Sequence, residues 1–448
     1  MPPPLRRSWR AVVWRPADEK RMIPPRFDPP FVPARECRWV LWIACRLASA
    51  VLRWREGVGR VTLRAEDWER LRALRRERLI LCANHPGGTE PILAFWLATR
   101  LGTRFHYLAA RDIFTSWRAW LLPRLGCYSV RRGYADRESI RETMRLLAEA
   151  DARVVIFPEG EIYQLNDRML PFQSGVVTLG FWALIRLREL GKPLRLPLVP
   201  VAIKYRCLDA AERPVRESLS RLERALSLPD GADLAPYPRL ARVGERLVAA
   251  VEEELVLPPP GETSLPERIA AVKERLLARI ASALGVRPFP GDTFVERLRA
   301  AYNALHDFAV EYADARNDYE RRQHLRRQEQ VHPIYEDWSR LYRFVAVSGD
   351  YVAERMTAER FLELLDRLET EVLGRRVVSW RREALVRVGE PLDLAAHLAD
   401  YERDRHGTIQ AITAELEARI GGMLQELAAS GTPLGGAGAK SVGHCGTE

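Results

Sequence analysis

Residues 79–91 have the sequence LILCANHPGGTEP, in which an apolar run ends at Asn84 and turn-forming residues follow. A short apolar run bounded by turn residues is typical of a strand buried on both faces of a sheet. Similar runs follow at FHYLAA (105–110), CYSV (127–130), VVIF (154–157) and LVPVAI (198–203), with helical patterns between them such as 139–150 and 176–190. This alternation predicts an α/β fold, with a mostly parallel sheet flanked by helices.

The chain changes character after this region. Residues 209–376 are rich in Arg, Glu, Leu and Ala with helical periodicity, and strand-like composition returns only at Ala384–Val388. A final helical pattern runs from about residue 395 to 429, and the Gly-rich end has disordered character. We therefore predict a core formed by residues 61–208 and 377–430, a helical insertion at 209–376 and a disordered tail at 431–448.

The first 60 residues are strongly basic. They hold 13 Lys and Arg against 5 Asp and Glu, whereas the whole chain has a formal net charge of only +10. Nine prolines before residue 36 prevent regular structure there. The apolar run WVLWIACRLASAVLRW (39–54) is interrupted by Arg46 and falls short of the ~20 residues that a membrane span needs.

This composition predicts that residues 1–60 form a basic Pro-rich arm and an amphipathic helix lying at a membrane interface. The alternative for residues 39–54 is an amphipathic helix packed on the protein itself. We expect peripheral membrane association on the cytoplasmic side. We expect no nucleic-acid partner, because the basic excess does not form a stripe on a folded element. The six cysteines form no CxxC pair, so neither disulfides nor a zinc or other metal site is expected.

His85 and Glu90 are the first candidates for chemistry, since a histidine at a strand end faces the crevice where α/β sheets bind ligands. Gly87 and Gly88 allow a tight loop that returns Glu90 to His85. A carboxylate on one imidazole nitrogen fixes the tautomer and makes the other nitrogen a better general base. The N–H groups of Gly87 and Gly88 are candidate donors to an oxyanion. The structural alternatives are a helix-capping carboxylate and a loop histidine bonded to backbone.

Four sequence blocks, in order, carry a resemblance to a known family. They are NHPGGTEP (84–91), LGCYSVRRG (125–133), IFPEGE (156–161) and LPLVPVAIK (196–204). These resemble the N-H-x4-D, Gly-x5-Arg, F-P-E-G and Pro-containing apolar blocks of the glycerolipid acyltransferases, the PlsC-like lysophosphatidic acid acyltransferase family. VRVGEPLDL (386–394) is similar to the strand that usually follows the fourth block. The resemblance covers about residues 60–207 and 384–429.

The resemblance implies a function in phospholipid biosynthesis: acyl transfer from acyl-CoA or acyl carrier protein, as co-substrate, to a hydroxyl of a lysolipid, above all 1-acylglycerol 3-phosphate. It implies that His85 is the general base and Glu90 its partner. It also implies that Arg132, with Arg131, binds the anionic head of the lysolipid. The resemblance further implies that Glu159 and Gly160 line the acceptor pocket and that Pro200 lies on the acyl-binding side. Neither a bound cofactor nor a metal is implied.

Two departures from the family pattern leave alternatives open. Glu90 stands where the family has Asp, and the F-P-E-G block is not followed by its usual basic residue. The next basic residue is Arg168, which is expected either to replace that phosphate contact or to leave it missing. The alternatives are transfer to a different lysolipid, or a catalytically degenerate core that serves as a lipid-binding scaffold.

Overall fold

The structure is a computed structural model that describes residues 30–131, 136–162, 165–257, 263–310, 317–345, 350–375, 377 and 379–434. Most of the predicted Pro-rich arm, the candidate residue Arg132 and tail residues 435–448 lie outside these ranges. The domain boundaries predicted from the sequence stay predictions.

The first half of the chain alternates helices and strands. These elements are Arg38–Ala50 (α1), continued by a π-helical turn at Val51–Arg55, Val58–Leu63 (β1), Ala65–Leu74 (α2), Leu79–Ala83 (β2), Glu90–Leu101 (α3), His106–Ala110 (β3), Ser116–Arg124 (α4), Cys127–Val130 (β4), Arg137–Met144 (α5) with a π-helical turn at Arg145–Glu149, Arg153–Ile156 (β5), Gly175–Glu189 (α6) and Pro197–Cys207 (β6).

Helices dominate the second half. They are Glu212–Ala225 (α7), Pro236–Leu255 (α8), Leu265–Leu284 (α9), Phe294–Val310 (α10), Asp318–Val345 (α11), Asp350–Ala353 (α12) and Ala358–Leu373 (α13). The strands Arg382–Val388 (β7) and Leu392–Asp393 (β8) follow, and the helices Leu398–Arg403 (α14) and Arg405–Ala428 (α15) come last.

The eight strands form one sheet in the order β1-β7-β6-β2-β5-β3-β4, and β8 pairs with the start of β6. The β1–β7, β6–β2, β2–β5, β5–β3 and β3–β4 pairs are parallel. The β6–β7 and β6–β8 pairs are antiparallel. The mostly parallel α/β fold predicted from the sequence is confirmed, with β7 and β8 returning beside β6 in the opposite direction.

Strand β2 lies at the centre and is buried along its whole length. Leu79, Leu81 and Ala83 point into the core beneath α2 and α3. Ile80 and Cys82 alternate with them and point into the core beneath α6 and α15. Burial on both faces explains why this strand is a continuous apolar run rather than an alternating one.

In the described residues between β6 and β7 the named elements are helices, and they pack into two further apolar cores, to which Leu170 and Cys207 also contribute. Buried charges join this insertion to the sheet: Asp167 forms ion pairs with Lys204 of β6 and with Arg360 of α13. Of the helices in the described ranges, none combines the length and apolar content needed to cross a bilayer.

Two details differ from the sequence-based expectations. The final helical pattern is broken at Asp404, which adopts an extended backbone and caps α15 by accepting from the Gly407 N–H at 3.0 Å. The first residues of the expected disordered tail are held in place, because the Thr432 carbonyl accepts from the Ala358 N–H at 2.8 Å.

Candidate active site

The side chain of Asn84 sets the point at which the chain leaves the sheet. Its amide accepts from the Ile203 N–H at 2.7 Å and donates to the Ile203 carbonyl at 2.8 Å. This pair extends the β2–β6 ladder by one residue, through a side chain in place of backbone. His85 therefore begins the loop at the carboxyl end of β2, where ligand crevices of α/β sheets lie.

His85 and Glu90 meet across this loop, with His85 Nδ1 2.6 Å from Glu90 Oε2. Glu90 is the first residue of α3 and is fully buried, whereas the His85 side chain keeps 12% of its surface exposed. The ring of His85 stacks on Phe157, with ring centroids 4.2 Å apart. The predicted approach of Glu90 to His85 is thus present in the structure, with the carboxylate buried and the imidazole partly exposed.

The loop glycines have a different role from the one expected. The N–H groups of Gly87 and Gly88 donate to Glu90 Oε2 at 3.2 and 2.7 Å. Gly88 has φ +87°, a left-handed conformation that favours glycine. The expectation that these two N–H groups bind substrate at an oxyanion is corrected here, because both are directed at the Glu90 carboxylate.

Tyr205 completes the environment of Glu90, since its hydroxyl donates to Glu90 Oε1 at 2.8 Å. Burial alone would raise the pKa of the Glu90 carboxyl. The hydrogen bond and charge of His85, together with the Tyr205 hydroxyl, outweigh burial and hold this pKa below its ordinary value. Glu90 is therefore an ionised acceptor, which makes Nδ1 of His85 the donor and leaves the lone pair on Nε2.

Glu159 fixes the geometry of the His85 loop. Its Oε1 accepts from the His85 N–H at 2.7 Å and its Oε2 accepts from the Leu170 N–H at 3.0 Å. Burial raises the pKa of the Glu159 carboxyl, and these two N–H bonds oppose the rise. Both carboxylate oxygens of Glu159 thus accept from backbone N–H groups, whereas the family resemblance places Glu159 in the lining of the acceptor pocket.

Gly160 follows with φ +75°, and a Cβ atom there would lie 2.1 Å from Gln173 Nε2. The glycine is needed both for the turn and for the close approach of Gln173.

The remaining candidates are spread over other elements. Arg131 donates its backbone N–H to Asp136 at 2.8 Å, and its partner candidate Arg132 lies outside the described residues. Pro200 is buried in β6, where its carbonyl accepts from the Gly389 N–H at 2.8 Å. Arg168 forms an ion pair with Glu354 of the insertion.

Sequence reasoning missed several residues that support the pair. The guanidinium of Arg382, in β7, lies 4.7 Å from the Tyr205 ring centroid and donates to Thr89 Oγ1 at 3.2 Å. From the insertion, Arg299 donates to the Glu159 carbonyl at 2.7 Å and Tyr342 donates to the Ile162 carbonyl. Among these residues, only Tyr205 could have been suspected from the sequence, because a tyrosine on a buried strand needs a hydrogen-bond partner for its hydroxyl.

Comparison with known proteins gives one finding. Residues 63–204 match the protein-family model described as Acyltransferase. The matched segment runs from the end of β1 into β6, so it contains His85, Glu90, Arg131 and Glu159. No curated protein matches the chain.

Proposed function

Starting from the acyltransferase-family domain that residues 63–204 form, we propose that this protein moves a fatty acyl group from a thioester to a hydroxyl of a lysolipid. The acyl donor is acyl-CoA or acyl carrier protein, and the acceptor is of the 1-acylglycerol 3-phosphate type. The observation that supports this proposal is the 2.6 Å contact between His85 Nδ1 and the buried carboxylate of Glu90. It leaves Nε2 of a partly exposed imidazole to act as a base.

The proposed reaction needs no enzyme nucleophile. Nε2 of His85 takes the hydroxyl proton as the acceptor oxygen attacks the thioester carbonyl. The C–O bond forms, the tetrahedral intermediate then expels the thiolate as the C–S bond breaks, and His85 returns its proton to the sulfur. Glu90 stays ionised and stabilises the imidazolium between these two transfers.

Cys82 lies close by in β2 but does not suit a nucleophilic role. It is fully buried, and burial raises the pKa of its thiol far above the ordinary value. A thiol that stays protonated in apolar surroundings is inert. This supports direct transfer between the two substrates.

The identity of the acceptor is the second half of the proposal. Arg131 and Arg132 are assigned to the anionic head of the lysolipid through the family resemblance. The basic residue that usually follows the F-P-E-G block is absent, and Arg168 is paired with Glu354. A different lysolipid is therefore the second candidate acceptor. The intact His85–Glu90 contact argues against a degenerate scaffold, because the longer Glu90 still reaches the imidazole.

A panel of acceptors tests this function. Purified wild-type protein and His85→Ala are incubated with lysolipids of differing headgroup and with radiolabelled acyl-CoA or acyl carrier protein in parallel. We expect the wild type to acylate 1-acylglycerol 3-phosphate, and His85→Ala to lose transfer while keeping its melting temperature. Equal turnover by the two proteins would remove His85 from the mechanism, and a wild type inactive with every acceptor and donor would contradict the function.

We further propose that the protein binds peripherally to the cytoplasmic face of an anionic membrane. Trp39, Trp42 and Trp54 of α1 and its π-helical turn are exposed, as are Trp117 and Trp120 of α4. The Trp39 and Trp120 ring centroids lie 6.1 Å apart, so the two helices present one surface, here called the tryptophan face. Exposed tryptophans beside arginines are typical of helices that lie at the headgroup level.

A further inference from the structure

Helix α10 lies against the Glu159 loop, which the family resemblance assigns to the acceptor pocket. Near its start, Arg299 donates to the Glu159 carbonyl at 2.7 Å and approaches the Pro171 carbonyl at 3.5 Å. His306 lies seven residues later, about 10 Å along the helix. Burial lowers the pKa of His306, and the positive charge of Arg131 lowers it further.

The two faces of α10 differ in chemistry. Leu298, Ala301 and Leu305 are buried in the apolar core of the insertion. Arg299, Asn303 and His306 follow the i, i+4, i+7 spacing that places side chains on one face of a helix. The hydrogen bonds of Arg299 turn this second face towards the loop that carries Glu159. The insertion thus contributes a polar helix face to the site.

Arg299 is the strongest candidate on this polar face, because its hydrogen bonds in the described part of the chain go to no carboxylate. Its two hydrogen bonds go to carbonyl oxygens, and its Nε is buried without a hydrogen-bond partner among the described residues. Glu296, one turn earlier, uses its carboxylate to accept from the N–H groups of Asp292 and Thr293. The pKa of Glu296 is lowered by its hydrogen bonds to Thr293 and, more weakly, by the charge of Arg299. A buried guanidinium N–H without an acceptor is costly, and an anion would satisfy it.

We propose that Arg299 binds the phosphate of the acceptor headgroup, and so supplies the basic residue that is missing after Gly160. This inference rests on the proposed function, since it takes the acceptor to be a phosphate-bearing lysolipid. Arg299 comes from a helix far along the sequence and outside the matched segment 63–204. The insertion therefore determines headgroup specificity, whereas the matched segment holds the proposed base.

The test compares Arg299→Gln with Arg299→Lys and with the control Arg297→Gln. Arg297 lies on the same helix but is held by Glu274 at 2.6 Å within the insertion. Acceptors are 1-acylglycerol 3-phosphate and the neutral monoacylglycerol. We expect Arg299→Gln to raise KM for the phosphate-bearing lysolipid about tenfold or more, the size of one charge-assisted hydrogen bond. KM for monoacylglycerol and for the acyl donor should not change, Arg299→Lys should be intermediate, and Arg297→Gln should match the wild type.

A purely structural role for Arg299 would lower kcat alike with both acceptors, and that result would overturn the inference, as would an unchanged KM. Binding of a short-chain 1-acylglycerol 3-phosphate, measured by calorimetry, tests the same site without turnover and should weaken about tenfold in Arg299→Gln. Equal affinity for glycerol 3-phosphate would show that the site does not recognise the acyl chain and would overturn the lysolipid assignment. If the wild type binds the lysolipid through Arg299 but transfers no acyl group, the proposed function fails and the headgroup site stands.

Discussion

The Tyr205 hydroxyl donates to Glu90 Oε1 at 2.8 Å, while His85 contacts the other oxygen of the same carboxylate at 2.6 Å. The two contacts fix the carboxylate from opposite sides in a fully buried position. In turn, the ring of Tyr205 lies beneath the guanidinium of Arg382. The orientation of the proposed base therefore depends on β6 and β7 as well as on the loop that carries His85.

Tyr205→Phe removes this second contact without changing the shape of the core. We expect kcat to fall about tenfold, because a hydrogen bond to a charged group contributes about 1.4 kcal/mol or more. Steady-state kinetics at saturating acceptor measure the change. Tyr107→Phe is the matched control, since its buried hydroxyl has no hydrogen-bond partner among the described residues. Similar kcat values for the two variants would show that Tyr205 does not position Glu90.

Glu90→Asp shortens the carboxylate by one methylene. The longer side chain of Glu90 lets it reach His85, Gly88 and Tyr205 at once, so we expect aspartate to keep only part of this set. A fall of at least about tenfold in kcat follows from the loss of one charge-assisted contact. Glu90→Gln keeps the length but loses the charge that stabilises the imidazolium, and we expect a larger fall. An aspartate variant as active as the wild type would show that side-chain length is unimportant here.

Local chemistry explains what the sequence predicted well. The strand runs are apolar because their strands are buried on both faces, and the Gly87–Gly88 pair makes the loop tight enough to return Glu90 to His85. Both features involve residues close together in the sequence. Turn chemistry and burial therefore sufficed to predict them.

The rest of the site could not be predicted from the sequence because it is assembled from distant segments. Tyr205, Arg299 and Arg382 reach the His85 loop only through the sheet order and the packing of the insertion. The direction of the Gly87 and Gly88 N–H groups depends on the position of Glu90. A spacing pattern in the sequence contains no information on which distant residues meet at the site or on where these N–H groups point.

Trp54→Ser/Trp117→Ser tests the tryptophan face with one change in each of its two segments. These side chains are 82% and 53% exposed, so the fold should tolerate their loss. We expect sedimentation with anionic liposomes to fall more than about tenfold, because each inserted aromatic contributes roughly 1.5–3 kcal/mol. Trp182→Ser, on α6, is the control, since Trp182 is exposed outside this face. If all variants sediment like the wild type, the tryptophan face does not bind the membrane.

Glu363→Gln tests how much the buried carboxyl of Glu363, between α13 and the sheet, lowers the free energy of unfolding. Burial raises the pKa of Glu363 from 4.5 to about 8, although Lys204 and Arg367 lie near it and Tyr351 donates to it at 3.1 Å. Between these two pKa values the folded protein keeps a proton that the unfolded chain has released, so the free energy of unfolding falls as pH rises. Below this range both states are protonated, and above it both are ionised.

The variant cannot ionise at this position and should therefore be more stable than the wild type at pH 9, with the difference shrinking towards pH 5. Urea unfolding at three pH values measures the trend. A difference that is constant across this range would contradict the raised pKa.

Asn84→Ala removes the side-chain pair that continues the central ladder at the edge of the site. Asn84 is 1% exposed and bonds both backbone groups of Ile203. We expect the free energy of unfolding to fall by about 2–5 kcal/mol, since two buried backbone groups lose their partner. Urea unfolding measures this loss, and kcat should fall with it because His85 follows Asn84 directly.

The companion variant Asn84→Asp separates the two bonds. Its carboxyl accepts from the Ile203 N–H in either protonation state but donates to the Ile203 carbonyl only when protonated. Asn84→Asp should therefore be closer to the wild type at pH 5 than at pH 8, whereas the deficit of Asn84→Ala should not depend on pH. If both variants unfold like the wild type, the amide does not hold β2 to β6, and His85 is positioned by its contacts with Glu159, Glu90 and Phe157.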